Sequence, residues 1–200
     1  MRRGASARGV SCVRSAPGLW IALVVLAGLC AVPSAPAHAE ERAGTIFFST
    51  AVGGGPAWPD DVQFDPGPTP GVAWEVLVGW GLTQEVAVGI DFGTWQTSLL
   101  GVPFHFHNGF TPRLEWTPLG GDGLFLGIGG GLGTTDGVRP PHRTRHGIAV
   151  TPRAGYRWAL PRGAAASLVV AGWVHHYPGQ GTASVVVSLL EVRMYGSTHE

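Results

Sequence analysis

Eight charged residues share one parity: Glu75, Asp91, Arg113, Glu115, Arg153, Arg157, Glu191 and Arg193 are all odd-numbered, and each falls in a stretch of alternating character. Four acids and four bases suit ion pairing in an enclosed space, because an unpaired buried charge is expensive and a paired, hydrogen-bonded one is tolerable. Such a set either seals an interior or lines a gated ion path. His105 and His107 stand one residue apart, a spacing at which strand side chains share a face and can bind a transition metal. No carboxylate lies near them in sequence, so neither a metal nor any other cofactor is expected. Arg139, Arg143 and Arg145 cluster in Arg-Pro-Pro-His-Arg-Thr-Arg-His, together with His142 and His146. Guanidinium forks bind phosphate well, and this run reads as a loop that could face lipopolysaccharide.

The start of the chain sets the compartment. Arg2, Arg3, Arg8 and Arg14, with no acid among them, precede an apolar run over 19–32, then Pro33 and Ala37-His38-Ala39. This is the pattern of a secretory signal peptide over 1–39, with cleavage expected before Glu40. The apolar run falls short of the roughly 20 residues a bilayer-spanning helix needs. Cys12 and Cys30 both lie in this leader, and Leu29 stands where a lipoprotein needs a small residue. The mature chain therefore has no thiol for a disulfide, a zinc site or a nucleophile. It keeps nine Arg, no Lys and all thirteen acids, a net charge near −4 that gives nucleic acid nothing to bind. So few charges and a positive mean hydropathy are odd for a chain dissolved in water.

The elements that position these residues are strands. No segment after Ala39 keeps helical spacing, whereas period-two alternation recurs over 44–52, 71–80, 85–94, 104–116, 123–132, 147–159, 164–175 and 182–194. The connections alternate between longer and shorter, which fits an up-and-down barrel with turns at one end and loops at the other. The even parity is broad and apolar: Val72, Trp74, Val76, Val78 and Trp80 in the second strand, and Phe104, Phe106, Phe110, Leu114 and Trp116 in the fourth. The odd parity of the fourth holds His105, His107, Thr111, Arg113 and Glu115, and that of the fifth is mostly glycine. The apolar face exceeds what eight strands can enclose, so it is read as the outside. Trp80, Trp116 and Trp158 each stand just before a short turn, as a periplasmic aromatic girdle would. With the interior narrow, the eight charges read as a closed, salt-bridged plug, in which Arg113 is expected to meet Glu191 and Glu75 to meet Arg153.

The eight-strand pattern over 44–194 and Leu124-Phe125-Leu126-Gly127-Ile128-Gly129-Gly130-Gly131 resemble the OmpA/OmpX-like family of small outer-membrane β-barrels. The resemblance implies an all-β, eight-stranded antiparallel transmembrane barrel over 40–196 with a short tail over 197–200. It also implies a monomer in the bacterial outer membrane, with outer-membrane lipid, lipopolysaccharide and the barrel insertion machinery as partners. The family usually ends on Phe or Trp, where this chain has Met194-Tyr195 followed by five more residues. Thr111-Pro112-Arg113-Leu114-Glu115 and the segment from His176 to Gly181 are similar to PagL-like lipid A deacylases, which carry His-x-Ser-Asn before the last strand. His176 matches the base of that motif, but Pro178 stands at the nucleophile's place and Gly179 at that of the Asn. A noncatalytic barrel with a structural or surface-interaction role is the reading adopted, with a deacylase-like ester hydrolase, or its inactive relative, as the alternative.

Overall fold

A computed structural model describes residues 43–58, 68–97, 105–120, 122–137 and 143–196. The leader, the tail, Arg139 and His142 lie outside them. Eight strands run β1 Ile46–Trp58, β2 Thr69–Gly81, β3 Val86–Gln96, β4 His105–Trp116, β5 Gly123–Gly137, β6 Arg143–Leu160, β7 Ala164–Tyr177 and β8 Gly181–Tyr195. Each pairs antiparallel with the next and β8 returns to β1, closing the barrel, with no helix among the described residues. Closure removes the edges that an open sheet would expose.

The strands are longer than alternation alone predicts, chiefly at the loop end. Gly53, Gly54 and Gly55 carry no side chain to alternate, yet they continue the β1 ladder. A Cβ on Gly53 or Gly55 would run into the carbonyl groups of Ser188 and Val186 on β8. These glycines let the closing strands approach. At the other extension, 133–137 and 143–146 are polar or small on both faces, and they pair in register from Gly133↔Gly147 to Gly137↔Arg143. Arg143 and Arg145 thus belong to β6, and the expectation of a loop over 133–146 is corrected: 133–137 are strand in β5 and 143–146 strand in β6.

The interior is odd-numbered on most strands, but β4 changes sides. Asp91 pairs with Thr111 and Gly93 with Asn108, so β4 spends one residue more than β3 over this interval. The extra residue is a β-bulge near Gly109, and it reverses the parity above it. Phe106 is consequently buried between Trp95 and His175, at 5.5 Å from each ring, and His107 stands on the outer face, half-exposed. The expectation that Phe106 faces outward and His107 inward is overturned for this reason. The glycine face of β5 also has an explanation. A Cβ on Gly127 would lie 2.9 Å from Arg153 Cγ, and one on Gly133 would lie 3.0 Å from the His175 ring. The bare backbone makes room for large side chains from β6 and β7.

Outside, large apolar side chains are exposed on every strand, among them Val52, Val78, Phe92, Leu114, Ile128, Val150, Val174 and Leu190. Trp80, Trp116 and Trp158 project from this face at the turn end, beside the hairpins at 82–85, 117–122 and 161–163.

Candidate functional site

All eight odd-parity charges lie inside the barrel, none more than 4% exposed. Burial of this depth removes water from four carboxylates and four guanidinium groups, a cost that is offset only by close, well-formed pairs. Glu115 accepts from Arg157 Nη2 at 2.7 Å and from both Arg193 terminal nitrogens at 2.9 Å. Glu191 accepts from Arg153 Nη2 at 2.6 Å and Arg193 Nε at 3.1 Å, with Arg157 at 3.9 Å. One step towards the loop end, Glu75 accepts from Arg153 Nη1 and from the Trp173 indole N–H, each at 3.2 Å. Arg113 forms its close ion pair with Asp91 and reaches Glu75 at 3.7 Å.

The register explains this wiring. Glu115 lies opposite Gly127, and the acid of β4 reaches across this glycine strand to Arg157 of β6, which pairs with Gly123 four residues along β5. Arg157 and Glu191 both pair with Ser167 of β7, which brings β6 and β8 charges together over a small residue. Arg157 also stacks over Phe125 at 4.4 Å and Arg193 over Phe47 at 4.1 Å, so aromatic faces cover what the carboxylates leave. The expected Glu75–Arg153 pair is present. The expected Arg113–Glu191 pair is not: Asp91, two residues along β3 from the partner of Arg113, is nearer, and Glu191 is taken by Arg153 and Arg193. At the turn end a recess of about 20 Å³, room for one water, bottoms on Glu115, Arg157 and Arg193.

Above the charges lies a second polar layer that sequence reasoning missed. His175 Nε2 is 2.6 Å from Asn108 Oδ1, and its Nδ1 is 3.0 Å from the Tyr177 hydroxyl, which in turn meets Thr135. An amide oxygen only accepts, so Nε2 carries the proton and Nδ1 accepts from Tyr177. Asn108 reaches this layer because of the bulge. The dipeptide Asn108-Gly109 inside a strand pattern was the available signal for it.

The remaining candidates are on the outside. His176 is exposed, with Nδ1 3.2 Å from the Thr182 hydroxyl, and its register neighbours are Ile148 and Thr182; Ser184 pairs instead with Val174. Arg145 reaches the Gln180 carbonyl at 3.5 Å.

No protein-family model matches the chain. No curated protein matches it either. Solved structures do. Neisserial surface protein A (NspA) superposes with a TM-score of 0.54 at 10% identity, over 74% of this chain and 96% of its own. Ail, the attachment invasion locus protein of Yersinia pestis, gives 0.52 at 9% identity, over 76% and 99%. The chain has the fold of the small eight-stranded outer-membrane barrels, as its sequence resemblance implied; at these identities the likeness is one of fold.

Proposed function

We propose that the mature protein is a monomeric outer-membrane barrel whose lumen is closed by the charge network and whose loop end meets the cell's surroundings. The observation that carries this reading is the inverted distribution of polarity, with eight charges inside and exposed apolar side chains on all eight strands. A water-soluble barrel of this size would have the reverse, since a contiguous apolar surface in water drives association. Lipid is the solvent that fits. In this frame Trp80, Trp116 and Trp158 form the periplasmic girdle, and the arginine-rich segment with Arg139, Arg143 and Arg145 is the expected partner of lipopolysaccharide phosphates. The leader is removed on export, and the insertion machinery delivers the chain. The expected results are that the mature protein fractionates with outer membranes, needs detergent to stay dispersed, and shows no steady conductance in planar bilayers. A monodisperse, detergent-free periplasmic chain would refute the reading, and a persistent open pore would refute the closed lumen.

The deacylase alternative draws support from the hydroxyl beside His176 on the outer face. Among the described register neighbours the rest of the machinery is not found. The register neighbours supply no carboxylate to orient the imidazole, and acyl transfer by the usual route needs base, orienter and nucleophile together. Expression of the protein should therefore leave the host lipid A acylation pattern unchanged by mass spectrometry, with His176→Ala silent. A species short of one acyl chain that disappears in His176→Ala would restore the enzymatic reading, with Thr182 as the first hydroxyl to test.

A further inference from the structure

Three histidines of the loop end hold Nδ1 against a threonine hydroxyl of a neighbouring strand: His107 with Thr94 at 2.9 Å, His146 with Thr134 at 3.4 Å and His176 with Thr182 at 3.2 Å. Nδ1 and Nε2 lie on opposite flanks of the ring, so a hydroxyl that holds one sets the direction of the other. His107 is engaged on its second flank too, with Asp136 3.6 Å from Nε2. The other two are arranged differently. His146 is held from β5, which turns its Nε2 flank towards β7, and His176 is held from β8, which turns its Nε2 flank towards β6. Ile148 lies opposite His176, so His146, two residues along β6, is its diagonal neighbour. Diagonal neighbours are about 7–8 Å apart, within reach of long side chains. The two Nε2 flanks therefore converge over the seam between β6 and β7.

We propose that His146 and His176 form a two-nitrogen clamp for a lipid-borne phosphate group at the outer edge of the membrane. An imidazole whose Nδ1 accepts from a hydroxyl carries its proton on Nε2, so each ring offers an N–H donor to the same point. Both side chains are exposed, and one step towards the turn end Ile148, Val174 and Leu132 project into the apolar band. The clamp thus sits just above hydrocarbon, at headgroup depth, and it rests on the reading of that band as lipid-facing. Charge favours an anion there. Arg145 reaches the Gln180 carbonyl at the same end, and Asp136, the one acid at the loop end among the described residues, lies against His107. Among the described residues no three His, Cys, Asp or Glu gather around one point, so the ligand this pair suits is a hydrogen-bonded anion rather than a metal. A phosphate monoester on a glycolipid presents acceptor oxygens to both donors at once, and its acyl chains hold it at this height. Free phosphate has no such anchor.

The test is nitrogen NMR of the refolded mature barrel, its imidazoles labelled, in phosphatidylcholine nanodiscs. These carry lipid A, or lipid A stripped of its phosphates, or neither but with inorganic phosphate in the buffer. The Nε2 resonances of His146 and His176 should move together and saturably with lipid A, and stay in place under the other two conditions. A hydrogen bond to a charged group is worth about a factor of 10 or more in affinity. The half-saturating fraction of lipid A should therefore rise about 10-fold in His146→Ala, read at His176, and as much in His176→Ala, read at His146. Thr134→Val and Thr182→Val, which release the rings without removing them, should also weaken the response, and His107→Ala should leave it as in the parent. The proposal is overturned by shifts that do not saturate, by equal shifts with stripped lipid A or inorganic phosphate, by a His176 response indifferent to His146→Ala, by full affinity in both threonine variants, or by an equal loss in His107→Ala. The migration of unheated samples on a denaturing gel reports whether each variant is folded. Insertion is read separately in nanodiscs of phosphatidylcholine alone: a barrel that does not enter them sinks the outer-membrane reading, whereas one that enters and ignores lipid A sinks the clamp alone.

Discussion

Arg113→Leu should destabilise the barrel by about 3–5 kcal/mol, the cost of breaking a buried pair from one side. The expectation follows from how the partners are shared. Glu115 has Arg157 and Arg193, Glu191 has Arg153 and Arg193, and Glu75 keeps Arg153 and the Trp173 N–H if Arg113 is lost. Asp91 is different: its ion-pair partner among the described residues is Arg113, and the carboxylate is fully buried. Removing the guanidinium leaves that charge in a dry interior with its solvation lost and nothing returned. Removing both should recover most of the loss, because two leucines bury apolar volume without a desolvation cost. Arg113→Leu with Asp91→Leu is therefore expected to be more stable in urea than Arg113→Leu alone. Arg113→Leu with Glu191→Leu should be no better than the single change, since it orphans Arg153 and Arg193 in part. Additive losses in the first pair, or rescue in the second, would contradict the wiring described above.

The contrast between those two double variants marks where sequence reasoning reached its limit. That Arg113 faces inward was legible, because it alternates with Leu114 and Pro112 on a strand whose other face is apolar. Which acid it meets was not, because partners across a closed barrel depend on register and on the shear between strands, and neither leaves a trace in local alternation. Phe106 and His107 were misplaced for a related reason. A period-two reading propagates one parity along a whole strand, and a single bulged residue at Gly109 reverses everything beyond it. The same reversal hid Asn108 from the interior layer around His175 and hid Asp136 from His107, since these pairs are 67 and 29 residues apart in the chain. Gly53 to Gly55 and the polar run 133–137 lack the apolar contrast by which alternation marks a strand, so their pairing leaves no trace in the sequence. Where contrast was strong, as in Val72 to Trp80 and Leu190 to Met194, faces were correctly separated.

The second large effect concerns the outer face. Leu190 and Met194 lie four residues apart on the same side of β8, 55% and 63% exposed, so neither substitution disturbs the packed interior. Met194 is at the turn end, where it pairs with Ala164 beside the 161–163 hairpin. Leu190 is farther into the apolar band, opposite Leu168 on β7 and Val52 on β1. If that band sits in hydrocarbon, arginine at Leu190 must carry its charge into the bilayer core, while arginine at Met194 can reach the headgroups. In water the two substitutions would be equivalent, and exposed surface changes there stay within about 0.5 kcal/mol. The direct measurement is equilibrium unfolding of the barrel from phospholipid vesicles for Leu190→Arg and Met194→Arg against the parent. A loss of about 2–4 kcal/mol at Leu190 and of about 0–1 at Met194 is the predicted result; equal, negligible losses at both positions would show that the apolar face does not lie in lipid.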